Sequence, residues 1–292
     1  MGKKVAIIVV TYNRLNLLRD CIASLRSQTY QDSSIIVINN GSTDDTSQWL
    51  SAQKDIIVIT QDNLGGSGGF FTGIKYACEH EYEYSWVMDD DVISYPDALE
   101  QLMKQIKPEI GFLCSNVLDT DEKPCNVPKV SISLSDKTGE PVWGEYLLTG
   151  LLRVDIASFV SVCFKNERAF ELGLPFKEYF IWGDDTEYTS RISIKYPSYM
   201  VIDSVVIHKR KIQGVLSIHT DIEKNRIRNY FYYYRNRIHN KRSFKLKFLH
   251  WGYCFCEALG LFFRGNTYKS YIIMKALFSA LIFAPKIVYP SK

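Results

Sequence analysis

Tyr84-Ser85-Trp86-Val87-Met88-Asp89-Asp90-Asp91 is a short apolar run that ends in three consecutive carboxylates. An apolar run of this length bounded by polar residues reads as a buried strand. Three adjacent aspartates raise each other's pKa or recruit a cation, so their crowding needs a reason. All-oxygen ligands suit Mg²⁺ or Mn²⁺, ions that bridge diphosphate oxygens. The plain alternative is a helix N-cap cluster ahead of a helix over Val92–Lys107, because Asp is favoured at that position. The stretches on either side of the run decide between the two.

Upstream, Val5–Thr11 (VAIIVVT) is apolar almost throughout and predicts a buried strand. Leu15, Leu18, Ile22 and Leu25 recur at helical spacing. Ser34–Asn39 and Ile56–Thr60 predict two further strands, with a capped helix from about Thr43 between them. Asn63-Leu64-Gly65-Gly66-Ser67-Gly68-Gly69 reads as a glycine-rich turn leading into a helix over Phe70–Glu79. Its glycines follow the third strand rather than the first, which is not the dinucleotide-binding fingerprint. Downstream, Ile110–Cys114, the stretch around Ile156–Phe164 and Val201–Ile207 predict strands. Residues 116–145, with Pro124, Pro128, Gly139 and Pro141, read as an irregular or hairpin insertion. Alternating strands and helices predict an α/β fold, a mostly parallel sheet flanked by helices, with ligands at the carboxyl ends of the strands. Thr11-Tyr12-Asn13-Arg14, Asn39-Asn40 and Asp89-Asp90-Asp91 would then converge on one edge. That convergence favours a ligand site over a helix cap.

The segments VVTYNR (9–14), VINNGSTDDT (37–46), NLGGSGGF (63–70), MDDDV (88–92) and FIWGDDTEYTSR (180–191) occur in that order over roughly residues 5–210. Together they resemble the inverting glycosyltransferases of family 2, which have the GT-A fold. The resemblance implies that Thr11, Tyr12, Asn13 and Arg14 flank a uridine diphosphate, that Asn40 meets the base, and that the loop from Asn63 lies near the diphosphate or sugar. Most relatives carry Asp where this chain has Asn40. The resemblance further implies that Asp89 and Asp91 serve ribose and metal, with Asp90 near the donor sugar and His208 as a late metal ligand. A neutral imidazole among these ligands suits Mn²⁺ better than Mg²⁺.

An inverting transfer needs a carboxylate to take the acceptor hydroxyl's proton as that oxygen attacks the anomeric carbon. The family pattern assigns this base to Asp185, leaving Asp184 and the neighbouring Trp182 to bind sugar. A solvated acidic turn is the plain alternative. The doubled Gly-Gly resembles the galactofuranosyltransferase and rhamnosyltransferase branches of bacterial surface-polysaccharide enzymes. It implies transfer of galactofuranose from UDP-galactofuranose onto a saccharide of a capsule or O-antigen. Another hexose from a dTDP- or UDP-sugar is the alternative donor, and a non-catalytic sugar-binding protein is the alternative of a different class.

The 292 residues are 46% hydrophobic and 23% charged, enough for a core that needs no disulfides. The seven scattered cysteines read as reduced thiols without zinc spacing. The apolar run VAIIVV is too short for a secretory leader, and Tyr271–Ala284 falls short of the roughly 20 residues that span a bilayer. The net charge of +3 conceals a split: residues 1–206 carry 18 basic and 29 acidic side chains, residues 207–292 carry 17 and 3. A catalytic domain over 1–210 and a basic, aromatic-rich helical segment over 211–292 are expected, with helices through Arg237, over Phe244–Phe263 and over Tyr268–Phe283. The acidic domain argues against nucleic acid as the partner. The basic segment suits the cytoplasmic face of a membrane, where anionic lipid attracts Lys and Arg and aromatics sit at headgroup level. A peripheral cytoplasmic enzyme with a lipid-linked saccharide acceptor is therefore expected. The same aromatic segment could pair subunits.

Overall fold

The computed structural model describes residues 4–210 and 217–291. The expected domain boundary after residue 210 abuts 211–216, which lie outside the described residues, as does Lys3. Ten strands form one sheet: β1 (Val5–Thr11), β2 (Ser33–Asn39), β3 (Ile56–Thr60), β4 (Tyr84–Asp89), β5 (Val92–Ser94), β6 (Phe112–Leu118), β7 (Lys129–Val130), β8 (Leu151–Ile156), β9 (Val162–Lys165) and β10 (Ser198–His208). Their order is β3-β2-β1-β4-β9-β6-β10-β8-β7, with β5 paired to β10. The first four strands in this order run parallel, as do β6 and β10. β9 runs antiparallel to both β4 and β6, and β5 and β8 antiparallel to β10.

β1 shows why this sheet has helices on both faces. Every residue of β1 is buried. Val5, Ile7 and Val9 enter one core with Leu18, Ile22 and Leu25 of helix α1 (Leu15–Arg26). Ala6, Ile8 and Val10 enter the other with Phe70 and Ile74. Successive side chains of a strand point to opposite faces, so a strand buried on both sides is apolar at every position.

The glycine-rich stretch departs from expectation. It is not a turn before a helix but the first turns of helix α3 (Gly65–Glu79), which follows the short α2 (Thr46–Ser51). Glycine is a poor helix former, and close packing explains its presence. A Cβ at Gly69 would lie 2.3 Å from Val10 Cγ1, and one at Gly73 would lie 2.3 Å from Ile8 Cγ2. The stretch expected as helix over Val92–Lys107 divides into β5 and α4 (Ala98–Gln105). The single strand expected around 156–164 is instead the end of β8 and the start of β9. Residues 157–161 between them run past the site.

Helices α5 (Glu167–Leu172) and α6 (Asp184–Ser193) complete the domain. The C-terminal segment forms α7 (Lys224–His239), α8 (Phe244–Phe263) and α9 (Thr267–Ile282), close to the expected ranges. Ile227, Tyr230, Tyr234 and Ile238 of α7 share a separate core with Ala258 and Leu261 of α8 and Ile273 and Leu277 of α9.

Candidate active site

The carboxyl end of β4 carries Asp89, Asp90 and Asp91 to the wall of a cleft of about 1580 Å³. Asp89 and Asp91 line this cleft together with His208 from the end of β10. One ligand atom from each of these three residues can be chosen so that all lie within 4.8 Å of one another. Asp91 Oδ1 is buried, makes no well-aligned hydrogen bond, and sits 3.1 Å from Nε2 of His208. The other ring nitrogen, Nδ1, is 2.9 Å from Oδ1 of Asn126. That amide oxygen can only accept, so it fixes a proton on Nδ1, and the neutral ring would turn its Nε2 lone pair to an ion held by the aspartates. Two carboxylates and an oriented neutral imidazole fit a divalent cation.

The electrostatics agree with that reading. Burial and then the charge of Asp91 push the Asp89 carboxyl up to about 8. Burial would raise Asp91 too, but His208 and Arg14 hold it below its ordinary value. Burial works against the His208 imidazolium, yet the neighbouring carboxylates of Asp91 and Asp89 raise its pKa overall. The site thus concentrates negative charge that nearby protons and Arg14 only partly offset.

Asp90 is placed differently from its expected position near the donor sugar. It is buried and does not line the cleft. Its carboxylate accepts from Thr11 Oγ1 at 2.7 Å and from Arg14 Nη1 at 3.1 Å. Arg14 Nη1 also donates to Asp91 Oδ2 at 2.9 Å. Burial and these partners oppose one another, and the Asp90 carboxyl ends at about 6. Asp90 therefore ties the β1–α1 loop to the end of β4.

Asn40 is likewise turned inward rather than toward a base. Its amide donates to the Gly65 carbonyl at 2.9 Å, and its oxygen accepts from Gln61 Nε2 at 2.6 Å. Asn63 Oδ1 accepts from the Gly65 amide. Asn13, at a positive φ of 54°, accepts from the amide of Thr43 and so braces the loop after β2. Thr11 is buried, whereas Tyr12, Asn13 and Asn63 are exposed on the strand-end edge. Of the residues expected around the nucleotide, the cleft wall holds Arg14.

Across the cleft, Trp182, Asp184 and Asp185 also line the wall. Asp184 and Asp185 open α6, and Trp182 lies two residues before it. The approach is strained: Phe180, Trp182 and Gly183 have φ of 64°, 63° and 99°. Left-handed non-glycine residues are costly and persist only where the surroundings enforce them. The enforcing group is Asn236 of α7, fully buried, whose Nδ2 lies 3.0, 3.2 and 2.8 Å from the carbonyl oxygens of Tyr179, Ile181 and Trp182. Asn240 Nδ2 adds a bond to the Gly183 carbonyl at 2.9 Å. From the other side, the Ser67 amide of α3 donates to the Phe180 carbonyl. A Cβ at Gly65 would overlap that carbonyl, so glycine is required there at φ 73°.

Asp185 accepts the Thr186 amide through Oδ1 at 2.6 Å. Asp184 is buried, and burial followed by the charge of Asp185 pushes its carboxyl up to about 7. Asp185 is also raised, chiefly by burial and against the Thr186 bonds. The pair therefore holds a proton near neutrality, as suits acid–base work. Asn126, Asn236 and Asn240 escaped the sequence reading. Each acts through a contact made across 54 to 82 residues, for which no local pattern exists.

Residues 6–148 match the family described as Glycosyl transferase family 2. Residues 6–148 are a family 2 glycosyltransferase domain. An uncharacterized glycosyltransferase of Rickettsia prowazekii is 38% identical over 97 residues, 33% of this chain and 30% of its own length. The poly-β-1,6-N-acetyl-D-glucosamine synthase of Staphylococcus aureus is 28% identical over 118 residues, 38% of this chain and 28% of its own. The chain thus spans under a third of the length of these two relatives. Among solved structures, the family 2 domain and its helical extension are similar to Staphylococcus aureus TarS 1–349 in complex with UDP. The TM-score is 0.57 at 14% identity, covering 81% of this chain and 65% of that one. They are also similar to the mannosyltransferase PcManGT of Pyrobaculum calidifontis in complex with GDP-Man and Mn²⁺. Here the TM-score is 0.53 at 16% identity, covering 96% and 86%. These likenesses show the GT-A fold.

Proposed function

We propose that this chain is an inverting, metal-dependent glycosyltransferase that moves a hexose from a nucleoside-diphosphate sugar to a saccharide hydroxyl. The carrying observation is that Asp89, Asp91 and His208 share one cleft with the Asp184–Asp185 pair. Asp89, Asp91 and His208 would hold the divalent ion, Mn²⁺ or Mg²⁺, whose charge offsets that of the departing diphosphate. Asp185 takes the proton from the acceptor hydroxyl as that oxygen bonds to the anomeric carbon. The bond from that carbon to the diphosphate breaks, and its electron pair leaves with the phosphate oxygen. Asp184 keeps the pair's proton affinity near neutrality, and Trp182 supplies an apolar face for a sugar ring. Arg14 holds Asp91 in place and lines the donor end.

UDP-galactofuranose is the donor to test first, with dTDP-rhamnose and other UDP-hexoses as alternatives. The resemblance of the doubled glycines supports galactofuranose, although their packing on β1 is sufficient reason for glycine at 69. The similarity to a poly-β-1,6-N-acetyl-D-glucosamine synthase supports an acceptor in polysaccharide assembly. A lipid-linked acceptor is supported by exposed Phe244, Phe248, Phe263, Tyr271, Phe278 and Ile282 on the basic helices α8 and α9. No helix of the described residues is long and apolar enough to cross a membrane.

The test is a panel of sugar nucleotides with Mn²⁺ or Mg²⁺ and the Asp185→Asn variant. Turnover should fall by roughly 10²–10⁴ in the variant, the usual worth of a positioned acid–base group. Binding of UDP with the ion should persist. Unchanged turnover would remove Asp185 as the base. Donor binding with no turnover by either protein would favour a sugar-binding protein.

A further inference from the structure

The cleft does not end at Asp185. It continues to Arg237, Lys241 and Arg242, which line the same wall. Arg237 is in the last turn of α7, and Lys241 and Arg242 lie just past the end of that helix at His239. Arg237 and Arg242 are exposed and Lys241 is half-buried. Among the described residues none of the three has a carboxylate within ion-pair distance. Glu187, on the same wall, is already paired with Arg191. Arg237 is instead held by the Tyr233 hydroxyl at 2.5 Å, with its guanidinium 5.3 Å from that ring's centre. Arg242 Nη2 reaches Ser190 Oγ on α6 at 3.3 Å.

These contacts fix where the cluster lies. Asn240, the residue before Lys241, touches the Gly183 carbonyl beside the aspartate pair. Ser190 is five residues beyond Asp185 on α6, about 7.5 Å along the helix axis. The cations also make a field of their own. Burial and then Lys241 and Arg237 push the His250 imidazole down to about 4. Three clustered, unneutralised cations at the rim of a cleft repel one another and attract an anion. Planar guanidiniums match phosphate oxygens in pairs, and the ammonium serves as a point charge.

We propose that Arg237, Lys241 and Arg242 form a phosphate-binding subsite at the acceptor end of the cleft, so that the acceptor is a phosphate-bearing saccharide. The inference rests on the glycosyl-transfer reading for the word acceptor, but the anion site itself does not. The donor's phosphates belong at the other end, beside Asp89, Asp91 and His208. Beyond the cluster, α8 begins with exposed Phe244 and Phe248, which would receive an alkyl chain attached to the same phosphate. The phosphate could thus come from a lipid-linked saccharide or from a soluble sugar phosphate.

The experiment titrates the full chain, with its donor end filled by UDP and Mg²⁺, against inorganic phosphate and against octyl phosphate. Arg237→Gln/Lys241→Gln/Arg242→Gln should weaken both titrations at least tenfold while UDP affinity stays unchanged. Equal affinity in parent and variant, or no phosphate binding by the parent, overturns the subsite and leaves the donor reading standing. Loss of UDP binding in the parent would strike the donor reading alone. Should the triple variant fail to fold, Lys241→Gln and Arg242→Gln singly must each weaken phosphate at least twofold, or the subsite falls. Octyl phosphate at least fivefold tighter than inorganic phosphate, with that margin lost in Phe244→Ser/Phe248→Ser, identifies a lipid-linked phosphate. Equal affinity for the two identifies a soluble one.

Discussion

Asp184 and Asp185 sit side by side at the start of α6, and burial, with the charge of Asp185 adding to it at Asp184, raises both carboxyls, Asp184 to about 7. The base must be ionised to act, so turnover should rise with pH through this range. Asp184→Asn removes one charge and should move the acid limb of the pH–rate profile to lower pH. An unmoved limb would show that the two carboxyls do not interact. Stability runs the other way. A carboxyl raised to about 7 on folding favours the folded state below its ordinary value, and that contribution is lost as pH rises through about 7. Asp184→Asn should flatten this decline in a thermal melt. Asn236 offers a second test at this scale. Asn236→Ala leaves the carbonyls of Ile181 and Trp182 without this donor, at about 1–3 kcal/mol for buried groups, while the Tyr179 carbonyl keeps the Ile181 amide. Turnover should fall more than the affinity for UDP. Equal losses in both would make Asn236 a general stabiliser rather than a positioning residue.

Among the elements, α3 carries the sharpest contrast. Gly69→Ala and Gly73→Ala would drive a methyl into Val10 and Ile8, and overpacking of this kind costs about 1–3 kcal/mol. A Cβ at Gly66 meets nothing within 4 Å, so Gly66→Ala should gain about 0.5–1 kcal/mol from helix propensity. Chemical denaturation of the three variants checks the ordering. The same helix shows where sequence reading succeeds and fails. β1 and β2 are legible because burial on both faces demands an unbroken apolar run, and β3, an edge strand with Val58 and Thr60 exposed, is legible from its β-branched residues. The first turns of α3 are not, because glycine is a turn signal until the strand beneath it is known. β5 is three residues long and exists through its antiparallel partner β10, so it carries no signal of its own. Ordered motifs bring Asp89, Asp91, His208 and Asp185 to one cleft. The inward hydrogen bonds of Asp90 and Asn40 were not legible, because a motif fixes a residue's neighbourhood but not the direction of its side chain.

For the molecule as a whole, the charge split has a physical counterpart. The acidic excess lies in residues 1–206, which share the cleft with α7, and α8 and α9 turn exposed aromatics outward. Cations near an anionic surface contribute about 1 kcal/mol each and act within a Debye length of about 8 Å at physiological salt. The chain should therefore float with phosphatidylserine vesicles at low salt and dissociate as salt rises. Phe248→Ser/Phe263→Ser should lower the bound fraction at low salt. A chain that never floats at low salt removes the membrane reading.

The bonds from Asn236 and Asn240 to the loop before α6 also bear on how this protein can be recombined. Loop and helix are some 55 residues apart in the chain, yet side chains of the one hold the carbonyls of the other. A crossover between this chain and a relative anywhere within 179–240 would join a loop to a helix that did not arise with it. Chimeras intended to exchange the acceptor end should carry 179–242 as a single inherited block. Crossovers beyond residue 242 leave that block whole.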